Sequence, residues 1–219
     1  DPLYGELFPL SILPTELPEL PVLSAASPLS DTDWLLPFFG FNSNTKERYT
    51  EADGTEVITE VETDRSLHIQ PDGSIVYRSG TEATPEISAQ EQNPTAAESA
   101  LGCSILLQEL TEGLTGEASL YLQSVSQSGD STQLRFGYQL AGTPIRFSDG
   151  GSAAEITLSG TSITRLTLRF RQYSTTNEQS LLLPLQQTLA IAADHPGVEL
   201  SVGYADGGGD TVSASWLAD

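Results

Sequence analysis

The sequence predicts an α+β fold: two strand–helix–hairpin copies with antiparallel sheets and one main helix each, packed into one compact unit. Three observations lead there. Acidic segments alternate polar with apolar residues, the period of half-buried strands. Two segments at helical spacing, Pro94–Leu110 and Pro184–Ala193, stand one in each half. After each comes a pair of alternating runs split by a turn, Glu117–Val125 with Gln133–Leu140, and Val198–Tyr204 with Thr211–Leu217. Neither copy has enough apolar residues to bury its own helix well, so the two are expected to share one core. The expected organisation is a proline-rich arm or stalk over residues 1–45, a first copy over 46–141 and a second over 142–219.

The arm carries Pro2, Pro9, Pro14, Pro18, Pro21, Pro28 and Pro37, a density that argues against a helix or a central strand. Extended or polyproline-like chain is the expectation there. Within it, Leu35, Leu36, Phe38, Phe39 and Phe41 crowd around Trp34. So apolar a segment is seldom left in solvent, and it is expected to pack on the domain body or on a partner. Trp34, Leu35, Phe38, Phe39 and Phe41 are the candidate partner-contact residues.

From Arg48 onward the signals are those of strands. Thr55–Glu62 alternates behind the turn Asp53-Gly54, and Leu67–Ile69 and Ile75–Tyr77 flank Pro71-Asp72-Gly73-Ser74 as a hairpin. Glu82–Gln92 reads as a polar connector, and Asn93-Pro94 as cap and first position of a helix. Ala97, Leu101, Ser104 and Leu107 then form one helix face, which ends at Gly113 and Gly116. Ser128-Gly129-Asp130 turns the next hairpin, and Gly142-Thr143-Pro144-Ile145 breaks the pattern between copies. In the second half, Ser159-Gly160 turns between strands, Ser174–Ser180 is a polar linker, and His195-Pro196-Gly197 stops the helix. Asp206-Gly207-Gly208-Gly209-Asp210 turns the last hairpin.

Composition excludes several functions. With nine basic residues against thirty acidic ones, a net charge of −21 disfavours nucleic acid and anionic membrane surfaces. Cys103 is the only cysteine, so no intrachain disulfide or cysteine-based zinc site can form. It lies among Leu101, Ile105 and Leu106, where a buried structural thiol is expected. His68 and His195 are too few for a zinc or nucleophilic site, and His68 is expected beside Glu60 or Glu62. Asp206 and Asp210 are the best calcium candidates, but their loop lacks the Asp-x-Asp-x-Asp spacing and the distant Glu, and a hairpin turn is the simpler reading. Acid pairs of the glycosidase kind have no aromatic sugar platform beside them. No catalytic residue, metal or cofactor is expected. No apolar run is long enough to cross a bilayer. The chain opens on Asp1 and has no methionine, which is the expectation for a fragment relieved of a leader or anchor.

The second half resembles a known family. Gly142-Thr-Pro-Ile145 is followed by Ile163-Thr-Arg-Leu-Thr-Leu-Arg-Phe-Arg-Gln-Tyr173, Leu183-Pro-Leu-Gln-Gln-Thr-Leu-Ala-Ile191, Val198-Glu-Leu-Ser-Val-Gly-Tyr204 and Ser213-Ala-Ser-Trp216. This order resembles the carboxy-terminal region of the YycH/YycI regulatory proteins, from about Ala118 onward. The family's closing Pro-x-Trp stands here as Ala214-Ser215-Trp216, without the proline. The resemblance implies a non-catalytic extracytoplasmic domain of a Gram-positive bacterium, tethered by an amino-terminal anchor outside this sequence. It implies a protein partner, a membrane histidine kinase of a cell-wall-sensing two-component system or a related regulator. The alternative is a secreted or surface module that binds a peptide or cell-wall ligand along a sheet edge or the proline-rich arm.

Overall fold

The computed structural model describes residues 19–42, 45–60, 62–80, 85–89, 93–193 and 200–218. It is 49% strand and 14% helix, with thirteen strands in one large mixed sheet, which overturns the expected α+β pair of copies. In chain order the elements are β1 Pro21–Ala26, α1 Leu35–Phe38, β2 Lys46–Thr50, β3 Glu56–Glu60, β4 Arg65–Ile69, β5 Ser74–Arg78 and α2 Ala96–Thr111. There follow β6 Ser119–Ser128, β7 Ser131–Leu140, β8 Thr143–Phe147, β9 Ala154–Ser159, β10 Ser162–Arg169, β11 Gln172–Gln179, α3 Leu185–Ala192, β12 Leu200–Asp206 and β13 Thr211–Ala218.

The sheet runs β11-β1-β13-β12-β8-β7-β9-β10-β5-β4-β3-β2, with β6 on the far side of β7. It forks at β7. Residues 131–136 of β7 pair with β9, and 138–140 pair with β8. One limb, β9-β10-β5-β4-β3-β2, is a row of antiparallel strands. The other continues through β8 to β12, which lie parallel, and then to β13, β1 and β11. That second limb closes on itself, because Tyr173 of β11 bridges to Gly116 just ahead of β6. Gly116 is needed there: its φ is +67°, and a Cβ would sit 2.2 Å from the Tyr173 carbonyl oxygen.

Two cores replace the expected shared one. Ile58, Leu67, Ile75, Tyr77, Leu107, Phe136, Ile156, Leu166 and Phe170 are among the residues that fill the first lobe, under α1 and α2. Leu23, Tyr138, Ile145, Tyr173, Tyr204 and Val212 are among those that fill the second. Helix α2 lies against β6 and buries Cys103, Leu106, Leu107 and Leu110, not the expected face, of which Ala97, Leu101 and Ser104 are exposed. Among the described side chains none of α3 belongs to either core. The helices therefore share no apolar face.

Other expectations are corrected by pairing between segments far apart in the chain. The proline-rich arm contributes β1, held between β11 and β13 in the sheet interior. Pro21 is its first residue, the one place where a missing N–H costs the ladder least, and Val22–Ala26 contains no proline. Pro37 sits in the first turn of α1, where an N–H would have no helical acceptor anyway. Gly142-Thr143-Pro144-Ile145 is a turn leading into β8 rather than a break. Most of the polar linker lies in β11, paired with β1 at Gln172–Thr175 and, past an irregularity, at Gln179. The cap of α2 is Thr95, not Asn93: its Oγ1 accepts from the Glu98 N–H at 3.3 Å, and the Glu98 carboxylate accepts from the Thr95 N–H at 2.8 Å. Pro2, Pro9, Pro14, Pro18, His195 and Val198 lie outside the described residues. Among the described residues no helix is long and apolar enough to cross a membrane.

Candidate functional site

The crowded apolar segment of the arm turns inward. Leu35, Leu36, Phe39 and Phe41 are buried in the first core, and Phe39 stacks on Tyr77 with ring centroids 4.5 Å apart. Phe38 is half-buried against the same core and meets Phe39 edge-on. Trp34 remains 40% exposed, its indole N–H donating to the Asp31 carbonyl at 3.0 Å and its ring edge-on to Phe170. In this conformation the segment latches onto its own domain, and of the five candidate contact residues Trp34 presents the most surface.

The chemical candidates separate clearly. His68 stands on β4 between Val57 of β3 and Val76 of β5, away from Glu60, whose carboxylate faces Arg65 at 3.2 Å. Cys103 is fully buried, and burial pushes its thiol up to about 12, so it stays protonated and inert at neutral pH. Among the described residues no group of three or more His, Cys, Asp or Glu side chains is placed to hold a metal ion.

Asp206 belongs to a buried polar brace. Its Oδ2 accepts from Arg171 Nε at 3.0 Å and from the Tyr173 hydroxyl at 2.8 Å. Its Oδ1 accepts from Arg171 Nη2 at 3.0 Å and from the Gly208 N–H at 2.7 Å. Four donors occupy the carboxylate, which leaves no lone pair for a calcium ion. Burial, with the adjacent Asp206 charge, pushes the Tyr173 phenol far above its ordinary value and keeps it a donor. The brace ties the β10–β11 link to the β12–β13 hairpin.

Above the brace lies an open cleft of about 650 Å³ at the seam of the two lobes. Five connections converge on it, through Ser27, Asp72, Asp149, Arg171, Asp206 and Asp210 among others. Arg169 is committed to Asp149 at 2.8 Å and to the face of Phe147. Arg171 is likewise committed to Asp206, and the Asp72 carboxylate accepts from the Ser74 hydroxyl.

The most exposed recognition element is a backbone. Among the described residues strand β6 pairs only with β7, and Leu122–Ser128 are exposed throughout. Its sequence, Ser-Leu-Tyr-Leu-Gln-Ser-Val-Ser-Gln-Ser, has no charge and no proline. The outermost strand β2 carries Lys46, Glu47 and Arg48, and β11 is tied back at Gly116. Charge and closure are the usual protections of a sheet edge. The chain just ahead of β6 closes onto Tyr173 and α2 lies against the strand, but Leu122–Ser128 carry no charge and only a register shift between Leu122 and Ser124. The uncharged run was visible in the sequence. Its lack of a second neighbour was not.

Comparison of the chain with protein-family models, curated proteins and solved structures finds no match.

Proposed function

We propose that the chain is a non-catalytic protein-contact module that receives an extended segment of a partner along β6. The observation that carries this reading is the ten-residue, charge-free strand that is paired on one side only among the described residues. Its outward N–H and C=O groups offer a ladder to a partner strand, and exposed Leu122 and Val125 offer apolar contacts. The net charge of −21 favours a basic partner segment through long-range attraction. In the YycH/YycI reading that partner is a membrane histidine kinase of a two-component system, met outside the cytoplasmic membrane, with this chain as its regulator or scaffold.

The test is a display selection of extended peptides on the wild-type chain, with each binder then measured against Leu122→Lys and Val125→Lys. Binding about tenfold weaker in both variants, with melting temperature unchanged, supports the reading. Binders that ignore both substitutions contradict it.

A further inference from the structure

Five of the eight arginines, Arg48, Arg65, Arg135, Arg169 and Arg171, are each ion-paired to a described carboxylate. Arg78 and Arg165 are not. In register they are direct partners across β5 and β10. Their chain neighbours Tyr77 and Leu166 are fully buried in the first core, so both arginines stand on the opposite, solvent-facing side of the sheet, and both are exposed. Direct cross-strand partners sit roughly 5 Å apart at Cβ, where like charges destabilise the pair.

The backbone is shaped to produce this juxtaposition. Ile163 and Leu166 are both fully buried in the core, which strict alternation would forbid. A register shift between Ile163 and Arg165 resolves the conflict and turns Arg165 outward beside Arg78. Ser66 of β4 and Thr157 of β9 extend the same row on either side, as partners of Arg78 and Arg165. One position along the face, the nearest carboxylate by register is Glu155, which is engaged with Arg135 at 3.5 Å. A chain with thirty acidic residues thus sets two guanidinium groups together with no described carboxylate paired to either.

We infer that Arg78 and Arg165 form an oxyanion-binding site on the open face of the first lobe, taking one carboxylate or phosphate group. An oxyanion between two guanidiniums turns their repulsion into charge-assisted hydrogen bonds, and the planar fork of arginine matches both geometries. The flanking Ser66 and Thr157 hydroxyls are further donors on the same row. The carrier of the group is not itself a polyanion, because the net charge of −21 repels one at long range. This site is independent of β6 and of the contact proposed there.

The test compares melting temperature in inorganic phosphate, acetate and chloride at matched ionic strength, for wild type, Arg78→Gln, Arg165→Gln and the ion-paired control Arg135→Gln. Wild type and the control should melt higher in phosphate or acetate than in chloride, while both other variants lose that anion-specific rise. In chloride, both should melt above wild type, since the repulsion is gone. By titration, their affinity for the effective anion should fall about tenfold. A rise with phosphate alone identifies a tetrahedral ligand, and one with acetate a carboxylate. An equal rise in all four proteins, no rise in any, or loss in only one of the two variants overturns the site.

Discussion

The two lobes bury their centres by different means. The first is filled with leucine, isoleucine and phenylalanine beneath two helices. The second sets Tyr138, Tyr173 and Tyr204 among four alanines and a few larger side chains such as Leu23 and Ile145, and closes over an arginine–aspartate–tyrosine brace. In the first, stability scales with apolar volume. In the second, it hangs on the hydrogen-bonded groups of that brace, each costly to orphan. A cavity and a lost charge should therefore loosen different parts of one sheet.

The sharpest way to separate them is a pair of truncations. Phe39→Ala removes a fully buried ring stacked on Tyr77 and should cost about 4 kcal/mol in denaturant unfolding. Asp206→Ala leaves the Arg171 guanidinium without its carboxylate and should cost about 3 kcal/mol. The loss should fall first on the second lobe, read as faster amide exchange in β12 and β13 than in β4 and β5. Uniform exchange after both substitutions would break the comparison.

Acid should act on the charged edge of the first lobe. The Glu60 carboxyl is held below its ordinary value, chiefly by the Thr63 hydroxyl, then by the Asn42 N–H, the Thr45 hydroxyl and Arg65, against the opposing effect of burial. A depressed folded-state value contributes stability above the unfolded value, and that contribution is lost as pH falls through the folded one. Melting temperature should drop below about pH 4, and Glu60→Gln should flatten that drop while lowering stability at neutral pH. Thr95→Ala, which deletes the α2 cap, should cost only about 1 kcal/mol.

Local signals carried much of the fold into view. The hairpins β4–β5, β6–β7, β9–β10 and β12–β13 were legible because alternation and Gly/Asp turns are short-range. Helix α2 was legible as an element but not in its face: Ala97, Leu101 and Ser104, expected inward, are exposed, the buried side carries Cys103, Leu106, Leu107 and Leu110, and the cap lay at Thr95. What was hidden is pairing at long range. Strand β11, Gln-Tyr-Ser-Thr-Thr-Asn-Glu-Gln, has too little apolar content to announce itself and is made a strand by β1. Strand β1 was masked by the prolines around it, and the parallel β8–β12 pair joins segments far apart in sequence. The opposed Arg78 and Arg165 become neighbours only once β5 and β10 are in register. The crowding of apolar residues around Trp34 foretold docking, and the direction of docking needed Tyr77 and Phe170 in place.

Strand β6 stands apart from both lobes in one respect: most of it is buried in neither. Leu122→Lys should therefore change stability by less than about 0.5 kcal/mol in denaturant unfolding, the smallest effect expected here.

Whether β6 receives a partner strand is read most directly by amide hydrogen exchange along Leu122–Ser128, free and with a selected extended peptide bound. The free chain should exchange rapidly at alternate amides, those pointing away from β7, and the bound chain should protect that alternate set while β2 stays unchanged. Protection that leaves Leu122–Ser128 unchanged, or that appears on β2 instead, would contradict edge recognition by β6.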